Sequence, residues 1–258
     1  MRFCAVDWSG ALHGDRRAIW IATVQAGSVE SLEAGRSRAE LIQHLIDLAD
    51  EDPNVVVGLD FAFSFPRWYF ADQRLESVQQ LWELAAVKGE EWLSDCNPPF
   101  WGRAGKTCPL PLERQFRKTE RETPRVGSSS PQSVFKINGA GSVGTGSIRG
   151  MPFLRDLRAA GFSIWPFDAV TLPTVVEIYP RALTKAVKKS DLQSRTSYLA
   201  RGDWQIGADF GSLAESSDHA FDALISALAM DRHSGQLAVL AQAKNEITFL
   251  EGAIWLPS

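Results

Sequence analysis

The sequence predicts a layered α/β fold in which helices pack on a central sheet. Short apolar segments of strand character alternate with longer segments of helical period, and three strand-like segments precede that alternation. Residues 55–60 form a largely β-branched apolar run, which is typical of a central strand covered on both faces. A chain of 258 residues, 45% of them hydrophobic, has the size of one large domain, so we expect a single domain over residues 1–258.

The first strands and the first helix follow from local patterns. Residues 2–7 are an apolar run that ends in a carboxylate, and residues 17–25 and 28–34 add two further strands. Ser37 is placed to cap the next helix, and Glu40 three residues later completes a capping box. We therefore expect an antiparallel meander, then a helix, then the central strand.

The middle of the chain differs in composition from the rest. Residues 77–93 are amphipathic and predict a helix, whereas residues 96–133 are rich in Pro, Gly, Ser and charge and predict an inserted or mobile flap. Residues 138–150 are dense in glycine, and residues 153–160 have helical period. We place the whole insertion at about residues 96–150.

The C-terminal part returns to alternating strands and helices. Residues 174–178 predict a strand, and residues 182–198 predict two short helices. Residues 217–230 predict a strong helix with small and large apolar residues on one face, and residues 252–256 predict a last short strand.

Composition and charge exclude several classes of protein. No apolar run approaches the roughly 18–20 residues of a membrane span, and Asp7 interrupts the N-terminal run, so we expect no membrane anchor, no signal peptide and a cytoplasmic location. The three cysteines include no CxxC pair, which argues against a disulfide framework or a structural zinc site. A net charge of −4 does not indicate a dedicated nucleic-acid-coating protein. The sequence does not indicate an oligomeric state.

Basic residues are nevertheless concentrated in two segments. Residues 103–125 contain seven basic and three acidic residues, and residues 181–201 contain six basic residues and one acidic residue. Such runs are typical of solvated helix faces, but two runs that meet in space would form an anion-binding surface.

Five carboxylates stand where a ligand site is expected. Asp7 and Asp60 end predicted strands and Glu177 lies near the end of another, and ligands of open α/β sheets bind at that edge. Asp218 and Asp222 are four residues apart and share one face of the last long helix. Clustered carboxylates repel each other, and oxygen ligands suit Mg²⁺ or Mn²⁺. The alternative for each residue is a structural role, such as an N-cap at Asp218.

Four motifs, in this order along the chain, resemble those of a known family. They are VDWSG at residues 6–10, GLDFAFSFP at residues 58–66, EIYPR at residues 177–181 and DHAFDAL at residues 218–224. They are similar to motifs of the domain-of-unknown-function 429 family, described as predicted nucleases of ribonuclease-H-like fold. The resemblance covers essentially the whole chain and implies a three-layer α/β/α fold with a mixed central sheet and an inserted flap.

The resemblance also implies a catalytic site. Asp7, Asp60 and Asp222 match carboxylates that hold metal in this superfamily. Asp218 is displaced by one residue from a further superfamily position, and Glu177 matches only the family's own motif, so these two are expected as additional catalytic residues. The implied reaction is hydrolysis of a phosphodiester with two Mg²⁺ or Mn²⁺ ions, Asp7 bridging both.

The implied partner is nucleic acid, DNA or RNA. The candidates for binding it are basic residues of the flap, of the glycine-rich segment and of the EIYPR motif: Arg114, Arg117, Lys118, Lys136, Arg149 and Arg181.

The glycine-rich segment permits other interpretations. Residues 139–144 read GAGSVG, a literal GxGxxG between a strand-like and a helical segment, which is the context of a dinucleotide-binding fold. Gly146, Gly150 and Pro152 would break the helix that this fold requires. We favour a loop that binds a substrate phosphate, or one that serves only as a hinge. His219 either shuttles protons or is a spectator.

The leading interpretation is therefore a Mg²⁺- or Mn²⁺-dependent nuclease. One alternative is a non-hydrolytic module of the same fold that binds nucleic acid or nucleotide. Another is a nucleotide-dependent phosphotransferase, because residues 7–10 have the Asp-x-x-Gly spacing that surrounds phosphate in actin-like ATPases. Metal-dependent strand cleavage separates the first from the second, and ATP turnover without cleavage would select the third.

Overall fold

A computed structural model describes residues 1–257 and shows an α/β fold, a six-stranded mixed sheet with helices on both sides. The strands are β1 (Arg2–Asp7), β2 (Trp20–Gln25), β3 (Ser28–Ala34), β4 (Val55–Leu59), β5 (Ser163–Ile164) and β6 (Thr174–Glu177). The helices are α1 (Asp15–Ala18), α2 (Arg38–Glu51), α3 (Arg67–Gln73), α4 (Val78–Asp95), α5 (Leu112–Gln115), α6 (Lys118–Glu122), α7 (Gly144–Ala159), α8 (Pro180–Thr184), α9 (Leu192–Leu199), α10 (Ala208–Ser216), α11 (Asp218–Arg232), α12 (Ser234–Leu237) and α13 (Glu246–Glu251).

The strand order brings three strand ends to one edge of the sheet. The order is β3-β2-β1-β4-β6-β5, with β1–β2 and β2–β3 antiparallel and the other neighbours parallel. Val6 lies opposite Leu59, and Leu59 lies opposite Glu177. The carboxyl ends of β1, β4 and β6 are therefore level, which is the arrangement that places ligand sites in parallel sheets.

Alternating side chains of the central strands fill two separate cores. In β1, Cys4 and Val6 pack with residues of α2, α4 and α7, whereas Phe3 and Ala5 pack with α11 on the opposite face. The same period of two divides β4 and β6, because neighbouring side chains of a strand point to opposite faces. Both faces of the sheet are therefore buried, as the β-branched run of β4 predicts.

Gly58 allows helix α11 to approach the sheet closely. A Cβ atom at Gly58 would lie 2.7 Å from the Met230 sulfur and 2.8 Å from Cγ2 of Ile178, both far inside contact distance. The missing side chain lets α11 pack directly on β4, and this close packing sets the depth of the helix that carries Asp222.

Several local predictions are confirmed and others are wrong. The capping box of Ser37 and Glu40 is present at the start of α2. Strand β2 begins at Trp20 rather than residue 17, because α1 occupies the preceding turn. Helix α7 begins at Gly144 and contains Pro152. The N-cap of α11 is Ser217 rather than Asp218, since the Ser217 hydroxyl accepts a hydrogen bond from the amide of Ala220.

The segment expected to be a mobile flap is anchored in the core. Phe100 and Phe135 are buried and pack on Phe65, with ring centroids 6.1 and 5.1 Å away. The spacing of these aromatic residues follows no helical or strand period, which is why the sequence pattern does not reveal their burial. Within residues 1–257, no helix is both long and apolar enough to cross a membrane.

Candidate functional site

Three aspartates from three elements converge on the α11 face of the sheet. Asp7 ends β1 on the side of Phe3 and Ala5, by the period of two. Asp60 follows β4, and its amide donates to the carbonyl of Val6 over 3.1 Å. Asp222 lies in α11, on the same face. These residues, Asp7, Asp60 and Asp222, form what we call the aspartate cluster.

Asp7 is held by a histidine one helical turn before Asp222. Its side chain is buried, with the residue 7% exposed, and its carboxylate lies 2.5 Å from Nδ1 of His219. Burial raises the pKa of Asp7, and the hydrogen bond from His219 opposes that rise. The same hydrogen bond raises the pKa of His219, against the burial of its ring. Each partner therefore favours the charged form of the other, a carboxylate beside an imidazolium.

Asp222 is the most deeply buried of the three aspartates. It is 1% exposed, and one of its oxygens, Oδ2, pairs with the ammonium group of Lys189. The other oxygen, Oδ1, is buried without a hydrogen-bond partner. Burial raises the pKa of Asp222 to about 7, although Lys189 acts in the opposite direction. A buried oxygen without a donor costs free energy, so this position calls for explanation.

The charges of the other two aspartates both act on Asp60. Its side chain accepts no hydrogen bond from the described part of the chain, residues 1–257. Burial raises its pKa well above the ordinary value, and the charges of Asp7 and Asp222 raise it further. The three carboxylates are thus close enough for each to disfavour the ionisation of another.

Lys189 supplies the positive charge nearest to the aspartate cluster. Burial disfavours its ammonium form, but the pairing with Asp222 and the charges of Asp60 and Asp7 raise its pKa overall. Tyr179 lies at the same site, where burial and the charge of Asp60 raise its pKa. The sequence does not reveal that Lys189 pairs with Asp222, because Lys189 is one of six basic residues in its segment and no spacing distinguishes it from the others.

Glu177 lies on the other face of the sheet from the aspartate cluster. It is directly opposite Leu59, on the side of α4 and α7, and its carboxylate binds Arg117 and accepts from the Phe63 amide over 2.9 Å. This position does not fit the catalytic role expected for Glu177. Burial raises the pKa of Glu177, against the effect of Arg117.

Arg117 is buried rather than presented to a ligand. It is 1% exposed, and its guanidinium donates to Glu120 over 2.7 Å, to Glu177 over 2.9 Å and to the carbonyl of Glu251 over 3.0 Å. The substrate-binding role expected for Arg117 does not fit this burial. Arg117, Glu120 and Glu177 form what we call the Arg117 cluster, which fastens α6 to the sheet.

The other predicted flap residues are engaged in ion pairs on the surface. Arg114 lies 2.7 Å from Asp72 and 4.0 Å from the centre of the Trp68 ring. Lys118 lies 2.5 Å from Glu122, one turn along α6. Both basic residues are paired with acidic residues at the surface, and neither pair includes a member of the aspartate cluster.

Three further basic candidates bind backbone carbonyls, and Asp218 lies beside the aspartate cluster. The Lys136 ammonium donates to the carbonyl of Ala140 over 2.6 Å. Arg149 pairs with Glu90 over 2.7 Å and also binds the carbonyl of Gly10. Arg181 donates to carbonyls of the segment between α8 and α9. Asp218 lies close enough to the aspartate cluster for its charge to raise the pKa values of Asp7 and Asp222. Arg149 lines a cleft beside Asp60, whereas Arg181 does not.

A cleft of about 890 Å³ opens beside Asp60. Its walls include Trp8, Arg149 and Arg103, and the start of α7. A Cβ atom at Gly10 would collide with the backbone of Gly146, so the turn after β1 and the glycine-rich segment fit tightly against each other. The two glycine-containing turns predicted near the ligand site thus form one wall of a cleft that reaches Asp60.

The arrangement can hold charge and protons in several ways. In residues 1–257, no three His, Cys, Asp or Glu side chains are grouped closely enough to hold a metal ion, and Lys189 and His219 engage two of the aspartates. The carboxylate oxygens of Asp60 and Oδ1 of Asp222 are nevertheless available to accept. Compared with family models, curated proteins and solved structures, the chain shows no significant match to any.

Proposed function

We propose that this protein is a divalent-cation-dependent phosphodiesterase that cleaves nucleic acid on a ribonuclease-H-like sheet. The observation that carries the proposal is the convergence of Asp7, Asp60 and Asp222 from two strand ends and one helix onto one face. Repulsion among buried carboxylates destabilises the fold, and such clusters are characteristic of functional sites. The strand order and the four sequence motifs support the same family resemblance.

The donor set fits a hard divalent cation. Only carboxylate oxygens are offered, which suits Mg²⁺ or Mn²⁺ rather than zinc. Asp222 Oδ1 is buried without a donor and Asp60 accepts no hydrogen bond within residues 1–257. Asp7, Asp60 and Asp222 would hold the metal, and when bound it would lower the pKa of an attacking water and stabilise the leaving oxygen.

Lys189 and His219 define what the chain itself does at the site. Lys189 neutralises Asp222, so cation binding requires its ammonium to withdraw from that carboxylate. His219 uses Nδ1 to bind Asp7 and is about half exposed, with 49% of its side chain accessible. Its Nε2 atom is therefore the group able to exchange a proton with a substrate at the aspartate cluster.

The cleft beside Asp60 supports an extended anionic substrate. Its volume of about 890 Å³ exceeds the needs of a metal ion and suits one or more nucleotide units. Arg103 stands on its wall, where it would contact a phosphate while Asp60 faces the scissile bond, and Arg149 on the same wall is paired with Glu90. In this proposal nucleic acid binds in the cleft, and not on the surface of Arg114 and Lys118 that the flap sequence predicts.

One observation favours the alternative of a non-hydrolytic binding module. Lys189 and His219 already neutralise Asp222 and Asp7, so two of the three carboxylates are compensated without a cation. If these pairs persist when substrate is bound, the fold binds nucleic acid and performs no hydrolysis. Calorimetric titration with Mn²⁺ distinguishes the two functions directly.

The proposal is tested with single-stranded, duplex and RNA oligonucleotides in the presence of Mg²⁺ or Mn²⁺. We expect Asp60→Asn and Asp222→Asn each to lower the cleavage rate by more than about 100-fold and to abolish the Mn²⁺ binding heat, because each removes a metal ligand. Asp209→Asn, at an exposed position of α10, is the matched control and leaves both unchanged.

Three results would count against hydrolysis at this site. Mn²⁺ binding that is equal in Asp60→Asn and wild type would remove the metal centre. Oligonucleotide binding without cleavage under any of these conditions would favour the binding module, and ATP turnover without strand cleavage would favour the phosphotransferase.

A further inference from the structure

A second cavity lies between α8, α9 and α11 and shares no lining residue with the aspartate cluster. Its volume is about 740 Å³, which is the size of a small-molecule site. Three basic residues line it, Lys185, Arg201 and Arg232, against one carboxylate, Asp203. We refer to it as the basic cavity.

The basic residues of this cavity have no carboxylate partner. Arg201 lies over the ring of Tyr198 at 5.2 Å, and Arg232 lies over the ring of Trp204 at 3.6 Å. Arg232 also donates to the carbonyl of Asp203. In residues 1–257, none of Lys185, Arg201 and Arg232 forms a salt bridge, so their charges are not neutralised by a carboxylate of the chain.

A buried hydroxyl in the lining also lacks a partner. Thr184 is 0% exposed and its Oγ1 atom has no hydrogen-bond partner. Buried hydroxyl groups are normally hydrogen-bonded, since an unpaired one loses its hydrogen bonds to water without replacement. An acceptor or donor from a ligand in the cavity would satisfy it.

Lys185 is held beside Thr184 in a backbone conformation that L-residues rarely adopt. Its φ and ψ angles are 61° and −152°, a region populated almost entirely by glycine. The guanidinium of Arg181 binds the carbonyls of Lys185 and Val187 and so fixes the turn. Strain of this kind persists where it positions a side chain for a ligand, here an ammonium group at the cavity.

We infer that the basic cavity binds a phosphate-bearing nucleotide unit, with the phosphate between Lys185, Arg201 and Arg232. Unpaired lysine and arginine side chains recognise phosphate through charge-assisted hydrogen bonds. The lining also contains apolar residues, among them Leu183, Val187 and Leu256, which suit the base and sugar. The unit is either a free nucleoside monophosphate or one residue of a nucleic-acid strand, since both present the same groups.

The experiment is calorimetric titration of the full chain in EDTA with adenosine 5′-monophosphate and, separately, with octathymidylate. EDTA removes any contribution from a metal at the aspartate cluster. We expect Thr184→Val and Lys185→Gly each to weaken binding about tenfold, because each removes one direct contact with the ligand. Lys188→Gln, an exposed neighbour that does not line the cavity, leaves the affinity unchanged.

Both test variants are expected to fold. Lys185→Gly relieves the backbone strain and should raise the melting temperature by about 2–4 °C, and Thr184→Val removes an unpaired buried hydroxyl. Loss of affinity together with retained or increased stability is therefore the expected signature. Weakened binding of the monophosphate identifies a free nucleotide site, and weakened binding of octathymidylate alone identifies a strand contact.

Other outcomes overturn the inference. Absence of measurable binding of either probe, or affinities unchanged in both variants, excludes the basic cavity as a nucleotide site. Asp60→Asn separates this site from the proposed catalytic centre, since it should retain nucleotide affinity in EDTA. A failure of metal-dependent cleavage leaves this result unaffected.

Discussion

Two groups of buried carboxylates lie at the same edge of the sheet, on opposite faces, and they differ in how they are satisfied. In the Arg117 cluster, one guanidinium donates to Glu120, to Glu177 and to a carbonyl, and the Phe63 amide donates to Glu177. In the aspartate cluster, Lys189 and His219 serve two carboxylates and leave Asp222 Oδ1 unpaired.

This difference separates a structural ion cluster from the cluster that we propose to be functional. Acceptors and donors match in the Arg117 cluster, and its members join α6 to the sheet. In the aspartate cluster, by contrast, Asp222 Oδ1 has no donor and Asp60 accepts no hydrogen bond within residues 1–257, so the fold carries repulsion that a ligand can relieve. Burial alone does not distinguish them, since Glu177 and Asp222 are both almost fully buried. Four predictions test this difference between the two clusters.

The largest effect is expected in the Arg117 cluster. Arg117→Met should lower the free energy of unfolding by about 3–5 kcal/mol, because Glu177 and Glu120 are then left buried without a cation. Urea denaturation of the variant and wild type measures the loss. Arg114→Met, which removes an exposed arginine paired with Asp72, is the control and should cost far less. A loss below 1 kcal/mol for Arg117→Met would contradict a structural role.

The pH dependence of stability should come from the aspartate cluster. The folded-state pKa of Asp222, about 7, lies above its ordinary value of 3.8, so the folded chain holds a proton that the unfolded chain releases between these values. This contribution to the stability of the metal-free chain is therefore fully present below about pH 4 and is lost as pH rises through 7, by roughly 1–3 kcal/mol. The raised pKa values of Asp7 and His219 act in the same direction.

Melting curves in EDTA from pH 4.5 to 8 measure this loss, and Asp222→Asn should flatten it. A stability that rises with pH over that range would show that the aspartates are better satisfied than their surroundings indicate.

Removing one negative charge from the cluster should stabilise the metal-free fold. Asp60→Asn is expected to raise the free energy of unfolding by roughly 1 kcal/mol at pH 8, since the amide relieves repulsion and can donate to Asp7 or Asp222. Glu177→Gln is the matched comparison on the other face and should destabilise, because Arg117 loses a charged partner. Destabilisation by Asp60→Asn would instead make that residue a structural one.

The smallest effect is expected on the surface of α6. Lys118→Ala breaks an exposed pair with Glu122 at four-residue spacing and should cost about 0.3–0.5 kcal/mol, with no change in oligonucleotide affinity. A tenfold loss of oligonucleotide affinity, measured by fluorescence anisotropy, would restore the flap as a nucleic-acid surface.

Local chemistry was sufficient to predict much of the framework. The apolar run of β4, the capping box of α2 and the period of α11 each depend on neighbouring residues, so the sequence determined them. The carboxylates at the ends of β1 and β4 share one edge because parallel strands place their carboxyl ends together. The predicted helical segment at residues 153–160 is shorter than α7, because glycine normally disfavours a helix. In the structure, the glycines of α7 allow close packing against Phe61 and other neighbours.

Only the tertiary structure decided which face each carboxylate occupies and what binds it. In β6, Val175 and Val176 are both apolar because the sheet is covered on both sides, so the alternation does not show that Glu177 points away from Asp7. Lys189 meets Asp222 across 33 positions of sequence, and Arg117 meets Glu177 across 60. Long-range pairs of this kind are set by how helices dock on the sheet, a property that no local period of side chains encodes.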